Sequence, residues 1–181
     1  MQTFLLQLAG HPGAGKSYIA HYLTRHGYAT CLDIDVIKSA LLRAGISWDS
    51  AGRGAYEVLF DLAKDLLLSQ RSVVIDSPSR FPFIPRTGMS LATSAGARYV
   101  FVELDCSDRE MARRRIKDRK ALTSQYTEML KPAAQSGESW QSEGQMWDAS
   151  KTVGPDTGWL TVDTARPLEE WREDVLRMLT D

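Results

Sequence analysis

The segment Gly10-His11-Pro12-Gly13-Ala14-Gly15-Lys16-Ser17 decides the fold of this chain. It has the form G-x-x-x-x-G-K-[ST], in which glycines permit the positive φ angles that turn successive backbone N–H groups toward one point. The nearly continuous apolar run before it, residues 3–9, is typical of a central parallel strand. Residues 18–25 after it have the pattern of a helix. Strand, glycine-rich turn and helix in this order predict a phosphate-binding loop, called here the phosphate loop.

The phosphate loop predicts which groups hold a nucleotide. Its N–H groups and the positive end of the following helix attract phosphate oxygens. Lys16 is expected to reach the β- and γ-phosphates, and the Ser17 hydroxyl to bind Mg²⁺. We therefore expect ATP with Mg²⁺ as the bound group. The residues expected to contact the nucleotide here are Gly10, Pro12, Gly13, Ala14, Gly15, Lys16, Ser17 and Tyr18.

The rest of the chain alternates short apolar strands with helices. Further strands are predicted at 28–32, 72–75, 98–104 and 158–162. Helices are predicted at 36–44, 55–68, 89–94, 108–119 and 168–179. This alternation predicts one α/β domain over residues 1–181, with a parallel sheet covered by helices on both faces. Ligands of such sheets bind at the carboxyl ends of the strands.

Three aspartates follow predicted strands and are expected at that edge. Asp35 is expected to orient an acceptor hydroxyl and take its proton, although it is also available to cap the next helix. Asp76 ends the apolar run 73–75, as in a Walker B strand, and is expected to hold Mg²⁺. An Asx turn leading into Pro78 is the alternative. Asp33 is a weaker third carboxylate, with a role in metal binding left open.

The predicted helix at 108–119 is strongly basic. Most such runs form a solvated helix face. Because this one directly precedes an irregular segment, at least one of its arginines is expected on the phosphates, where it would balance the charge that develops during transfer. Arg115 and Arg119 lie four residues apart and so share a face.

Residues 120–157 are rich in Gln, Ser, Glu and Gly and show no sustained period. We interpret them as a lid or insertion within the domain, which Trp140 and Trp147 pack down or use to stack on a substrate. His11, inside the phosphate loop, is expected to matter for its backbone alone. No histidine or cysteine shows the spacing of a metal site.

Composition narrows the functional classes. The 181 residues include 43% hydrophobic and 25% charged residues, carry a net charge of −1 and have a pI near 6.3. Such a balance is ordinary for a globular domain and argues against a broadly basic surface for nucleic acid. The apolar start is too short for a membrane span and runs directly into the phosphate loop. We therefore expect a cytoplasmic protein without a membrane partner.

With these features placed, the chain resembles the AAA_33-type P-loop kinases, the group that includes chloramphenicol phosphotransferase and zeta toxins. The matching segments are 10–17, 32–38, 56–76, 101–105 with the basic helix, and 162–170. The resemblance implies a three-layer P-loop NTPase fold with five parallel strands in the order 2-3-1-4-5 and a lid insertion. It also implies ATP with Mg²⁺, a carboxylate at the Asp35 position facing the acceptor, and residues 163–167 near the adenine, including Thr164 and Arg166.

Three functions remain open at this point. The first is an ATP-dependent phosphotransferase acting on a hydroxyl of a small molecule. The second is a kinase acting on a nucleoside or on a nucleic-acid 5′ end, and the third is a regulatory NTPase that transfers no phosphate. The segments that would select an acceptor, 43–56, 77–90 and 120–157, match the family least.

Overall fold

The structure is a computed structural model that describes residues 2–128, 131–132, 152–156 and 158–180. Its strands are β1 (Phe4–Ala9), β2 (Thr30–Asp33), β3 (Val73–Asp76), β4 (Arg98–Asp105), β5 (Tyr126–Glu128), β6 (Lys131–Pro132) and β7 (Leu160–Asp163). Its helices are α1 (Lys16–Arg25), α2 (Ile34–Arg43), α3 (Trp48–Leu68), α4 (Phe83–Ser94), α5 (Arg109–Asp118) and α6 (Leu168–Thr180).

The main sheet within the described ranges has the order β2-β3-β1-β4-β7, and each neighbouring pair is parallel. Counted along the chain, this is the expected order 2-3-1-4-5. Because every strand runs in the same direction, the carboxyl ends of β1, β2 and β3 meet at one edge, where Asp33 pairs in register with Asp76. The sequence-based prediction of the fold is confirmed.

Helices cover both faces of this sheet, and β1 shows why. Its residues are all buried, and alternate side chains point to opposite faces. Phe4, Leu6 and Leu8 pack against α1 and α6, whereas Leu5 packs against α2, α3 and α4. Two hydrophobic clusters thus hold the sheet between helical layers and fix the phosphate loop at its centre.

Helix α2 begins earlier than predicted, and a different residue caps it. Asp33 is the N-cap, and its Oδ1 accepts a hydrogen bond from the Asp35 backbone N–H at 2.8 Å. The suggestion that Asp35 caps this helix was wrong, because Asp35 already lies in its first turn. Since Asp33 caps the helix, the Asp35 carboxylate is available for other contacts.

Two other helices also begin earlier than predicted. Helix α3 starts at Trp48 and includes Gly52 and Gly54, which weaken a helical pattern in sequence and lie beside side chains of α2. Helix α4 starts at Phe83 although Pro85 follows two residues later. A proline is tolerated there because N–H groups of the first turn have no partner within the helix.

The predicted lid at 120–157 lies largely outside the described residues, Trp140 and Trp147 included. The part that is described contains the antiparallel pair β5–β6 and the segment 152–156. The lid therefore stays a prediction. Across the described ranges, no helix is both long enough and apolar enough to cross a membrane.

Candidate nucleotide and acceptor site

The phosphate loop joins β1 to α1 and is pressed against β4 and α5. Gly10 has φ of 120°, and a Cβ there would lie 2.0 Å from the Leu104 carbonyl oxygen. Gly13 has φ of 81°, and a Cβ there would lie 2.6 Å from the Ala112 carbonyl oxygen. A side chain at either position would meet rigid backbone, so the turn requires glycine for space as well as for conformation.

Lys16 lies inside the phosphate loop. Its Nζ donates to the carbonyl oxygens of Gly10 at 2.8 Å and of His11 at 3.0 Å. Burial lowers the pKa of this ammonium, while the carboxylates of Asp76 and Asp35 act in the opposite direction. The lysine predicted for the phosphates thus shares one electrostatic site with both aspartates.

Asp76 closes β3 and is buried, with 5% of its surface exposed. Burial raises the pKa of its carboxyl, while Lys16 and a hydrogen bond from the Ser17 side chain lower it. The structure therefore joins the two residues predicted to hold Mg²⁺, one from the phosphate loop and one from the third strand.

Three carboxylates crowd this edge of the sheet. The pKa of Asp33 is raised to about 7, first by burial and then by the negative charges of Asp76 and Asp35. The Arg119 guanidinium, whose pKa is lowered by burial, is attracted by all three carboxylates. Arg119 thus lies in the electrostatic field of the three carboxylates, and its contact with phosphate stays a prediction.

These groups fit a bound Mg²⁺. Among the residues that the structure describes, no cluster of three or more His, Cys, Asp or Glu side chains could by itself hold a metal ion. Mg²⁺ does not need one, because it usually takes one or two protein ligands and completes its shell with waters and nucleotide phosphates. The hydrogen-bonded pair of Ser17 and Asp76 matches that requirement.

Asp35 is held by residues that follow α5. Its Oδ1 accepts from Ser124 Oγ at 2.9 Å, and its Oδ2 accepts from Gln125 Nε2 at 3.1 Å. Neither contact was foreseen from the sequence, because the partners lie 89 and 90 positions away along the chain. Both belong to the base of the predicted lid.

The two arginines singled out from the basic helix lie in different surroundings. Arg115 donates through Nη1 to the Gly13 carbonyl oxygen at 3.2 Å and to Thr164 Oγ1 at 3.0 Å. Its Nη2 donates to the Thr164 carbonyl oxygen at 3.0 Å. Arg115 therefore fastens the phosphate loop to the segment after β7, whereas Arg119 faces the carboxylates.

The residues predicted near the adenine lie beside the phosphate loop. Thr164 is buried, with its hydroxyl 3.0 Å from the Ala14 carbonyl oxygen. Arg166 is exposed and forms an ion pair with Asp174 at 2.8 Å. Tyr18 is 42% exposed and meets the Trp171 ring edge-on at 5.6 Å. Their contact with the nucleotide stays a prediction.

His11 was misjudged from the sequence. Its side chain is buried, and its Nε2 lies 2.9 Å from Asp105 Oδ1 and 2.8 Å from Arg109 Nη1. Its Nδ1 donates to the Pro12 carbonyl oxygen at 2.7 Å. The imidazole thus ties the phosphate loop to the end of β4. The expectation that only its backbone matters was wrong, because Asp105 is its neighbour only in the folded chain.

Tyr56 of α3 was also missed. Gln7 Nε2 donates to Ser77 Oγ at 3.0 Å and to the Leu8 carbonyl oxygen at 2.8 Å, which fixes the orientation of the amide. A side-chain hydrogen bond links Ser77 to Tyr56, and burial raises the pKa of this tyrosine to about 12. The phenol lies within the field of Asp35. Tyr56 therefore lies in the same electrostatic environment as Asp35.

Comparison with protein family models identifies the family of this chain. The model of the AAA_33 family, described as an AAA domain, matches residues 5–136. The chain belongs to the AAA_33 family. No curated protein matches the sequence.

Solved structures share the fold over nearly the whole chain. A candidate kinase from Chloroflexus aurantiacus J-10-fl superposes with a TM-score of 0.73 at 20% identity, covering 99% of this chain and 98% of that one. The Mycobacterium tuberculosis APS kinase CysC, in complex with AMPPNP and APS, gives 0.66 at 19% identity and covers 99% of both chains. A gluconokinase from Sinorhizobium meliloti 1021 gives 0.58 at 19% identity, covering 97% of this chain and 90% of that one.

Proposed function

We propose that this AAA_33 protein is an ATP-dependent phosphotransferase that moves the γ-phosphate of ATP to a hydroxyl group of a small molecule. One observation carries the proposal. Lys16, Asp76 and Asp35 come from three segments of the sequence and act on one another electrostatically at the carboxyl edge of the sheet. A nucleotide-binding lysine, a carboxylate for the metal and a carboxylate for the acceptor are the groups that phosphoryl transfer needs.

The reaction assigns each group a step. The acceptor oxygen attacks the γ-phosphorus, the bond from that phosphorus to the β,γ-bridging oxygen breaks, and ADP leaves with the electron pair. The hydroxyl proton passes to the Asp35 carboxylate late in the transfer. Lys16 and Arg119 balance the negative charge on the phosphoryl oxygens.

Mg²⁺ would be held by the Ser17 hydroxyl and the Asp76 carboxylate, with Asp33 as a further oxygen ligand. When bound, it supplies positive charge to the β- and γ-phosphate oxygens. The charge distribution supports this assignment. Burial raises the pKa values of Asp33 and Asp76, and the charge of Asp35 raises both further, so a cation at this edge would relieve the cost of keeping them ionised.

Two further observations favour a small acceptor over a nucleic acid. The net charge of −1 gives no general attraction for a phosphate backbone. The APS kinase and the gluconokinase, which share this fold, are named for small molecules. The fold alone does not fix the acceptor, so the choice rests mainly on the charge.

The test is transfer from ATP labelled at the γ-phosphate, with Mg²⁺, to a mixture of small metabolites and to separate RNA and DNA samples. Label in a small molecule is expected, and Lys16→Ala should abolish it. Label in RNA or DNA would show that the acceptor is a nucleic acid instead of a small molecule. Label only in free phosphate, at every protein concentration and with every pool, would contradict the proposal.

A further inference from the structure

The Asp35 carboxylate is engaged at both oxygens by the base of the predicted lid. Ser124 Oγ lies 2.9 Å from Oδ1 and also 3.0 Å from the Asp35 carbonyl oxygen. Gln125 Nε2 lies 3.1 Å from Oδ2. A carboxylate accepts hydrogen bonds and donates none, so both partners present protons to it.

Ser39 fixes the direction in which the Ser124 proton points. The Ser124 backbone N–H donates to Ser39 Oγ at 2.9 Å, and Ser39 Oγ donates to Ser124 Oγ at 3.0 Å. Each serine has one hydroxyl proton, so this closed pair leaves the Ser124 proton directed at Asp35. Both serines are buried, with 0% and 6% of their surfaces exposed, which keeps water from competing.

Gln125 is oriented by a second contact of its amide. Its Oε1 accepts from the Leu122 backbone N–H at 3.2 Å, so its Nε2 faces Asp35. Oδ2 of Asp35 is thereby occupied by the Gln125 amide, which a rotation of the Gln125 side chain would remove. Oδ1 is held by the buried serine pair, in which Ser124 is also fixed through its backbone N–H.

We infer that Ser124 is a positioning residue that orients Asp35 through Oδ1, and that Gln125 occupies the place on Oδ2 that the acceptor hydroxyl must take. This inference rests on the proposed function, in which Asp35 accepts the proton. Until an acceptor displaces Gln125, its amide occupies a hydrogen-bonding position on Oδ2 that water would otherwise take.

Hydrolysis of ATP with Mg²⁺ tests the shielding role, since water is then the acceptor and no other substrate is needed. Gln125→Leu should raise release of phosphate about tenfold, because a hydrogen bond to a charged group is lost and water reaches Oδ2. In the Asp35→Asn background the same change should have no effect. The control is Gln2→Leu, which removes an exposed glutamine that contacts only the Gly96 carbonyl oxygen at 3.4 Å among the described residues.

Ser124→Ala tests the positioning role and should act in the opposite direction. It should lower the Asp35-dependent rate about tenfold with the KM for ATP unchanged, because the carboxylate loses its fixed orientation. Ser124→Thr keeps the hydroxyl and should restore most of the rate. If Ser124→Ala does not fold, Ser39→Ala leaves Ser124 in place and should lower the same rate by a smaller factor.

The outcomes separate this inference from the proposed function. Equal hydrolysis by the wild type, Gln125→Leu and Ser124→Ala, with a reduced rate for Asp35→Asn, would overturn the inference and leave the role of Asp35 intact. Wild-type hydrolysis by Asp35→Asn would overturn the role of Asp35, and the inference with it. An increase with Gln125→Leu that persists without Asp35 would also overturn the inference, because the amide would then not act through that carboxylate.

Discussion

The two sides of the candidate site are built by different means. The phosphate loop is one continuous segment that packs backbone against backbone, with Gly10 and Gly13 where a Cβ would meet a carbonyl oxygen. The side proposed to take the acceptor depends on side-chain hydrogen bonds, in which Asp35 contacts Ser124 and Gln125. The shape of the first side is therefore set by rigid backbone, whereas the second needs side chains from a distant segment.

Glycine substitutions test how rigid the loop side is, and they should give the largest effect. Gly10→Ala should lower the free energy of unfolding by about 3 kcal/mol or more and abolish ATP binding, because the methyl group meets the Leu104 carbonyl oxygen. Gly27 also has positive φ, 72°, but nothing lies within 4 Å of an added Cβ. Gly27→Ala should therefore cost roughly 1 kcal/mol and leave ATP binding unchanged. Urea unfolding and ATP titration measure both, and equal costs would refute the packing argument.

Arg115 and Arg119 test which arginine of the basic helix supports the phosphate loop and which one acts in phosphate transfer. Arg119→Met should lower the rate of phosphate release about 100-fold, because it removes the cation among the carboxylates.

Arg115→Met is the matched variant from the same helix. It should lower the free energy of unfolding by about 1 to 3 kcal/mol, because Gly13 and Thr164 lose their donor. Kinetics and urea unfolding on both variants separate the roles. The opposite pattern, with the kinetic loss at Arg115, would reassign the phosphate contact.

Asp33 tests the charge on the acceptor side and should give the smallest effect. Its pKa is about 7 in the folded chain and 3.8 in the reference state, so the folded protein binds the extra proton between these values. Without Mg²⁺ and nucleotide, the free energy of unfolding should therefore fall as the pH rises through this window. Asp33→Asn keeps the N-cap and removes the charge, so it should flatten this slope and stabilise the protein at pH 8 by on the order of 1 kcal/mol.

The control for that experiment is Asp61→Asn on the exposed face of α3. It should leave the pH dependence of urea unfolding as in the wild type. An Asp33→Asn variant with the wild-type slope would show that burial and the neighbouring carboxylates do not raise the pKa of Asp33 as described.

The contrast between the two sides also explains what the sequence could predict. Central parallel strands are buried on both faces, so their apolar runs stand out, and the phosphate loop follows the first of them directly. The parallel sheet and the meeting of Lys16, Asp35 and Asp76 at one edge were therefore predictable, whereas the order of the strands was implied by the resemblance to the AAA_33-type kinases. Gly52 and Gly54 hid the start of α3, because glycine weakens the helical pattern that a local reading of the sequence depends on.

The missed residues share one property: their partners are far away along the chain. His11 contacts Asp105, and Ser77 connects Gln7 to Tyr56. A lone histidine or a buried glutamine gives no periodic signal, so only the folded arrangement assigns it a neighbour. The same holds for Arg115 and Arg119, which are alike in sequence and differ in what they face.

The central claim is that Asp35 serves the transfer of phosphate and not the binding of ATP. Asp35→Asn replaces one carboxylate oxygen by an NH₂ group, which removes the negative charge and keeps the size of the side chain. We predict that phosphate transfer from labelled ATP falls at least about 100-fold, while the Kd for ATP changes by less than about twofold. Transfer at the wild-type rate, or a loss of ATP binding equal to the loss of transfer, would contradict this account.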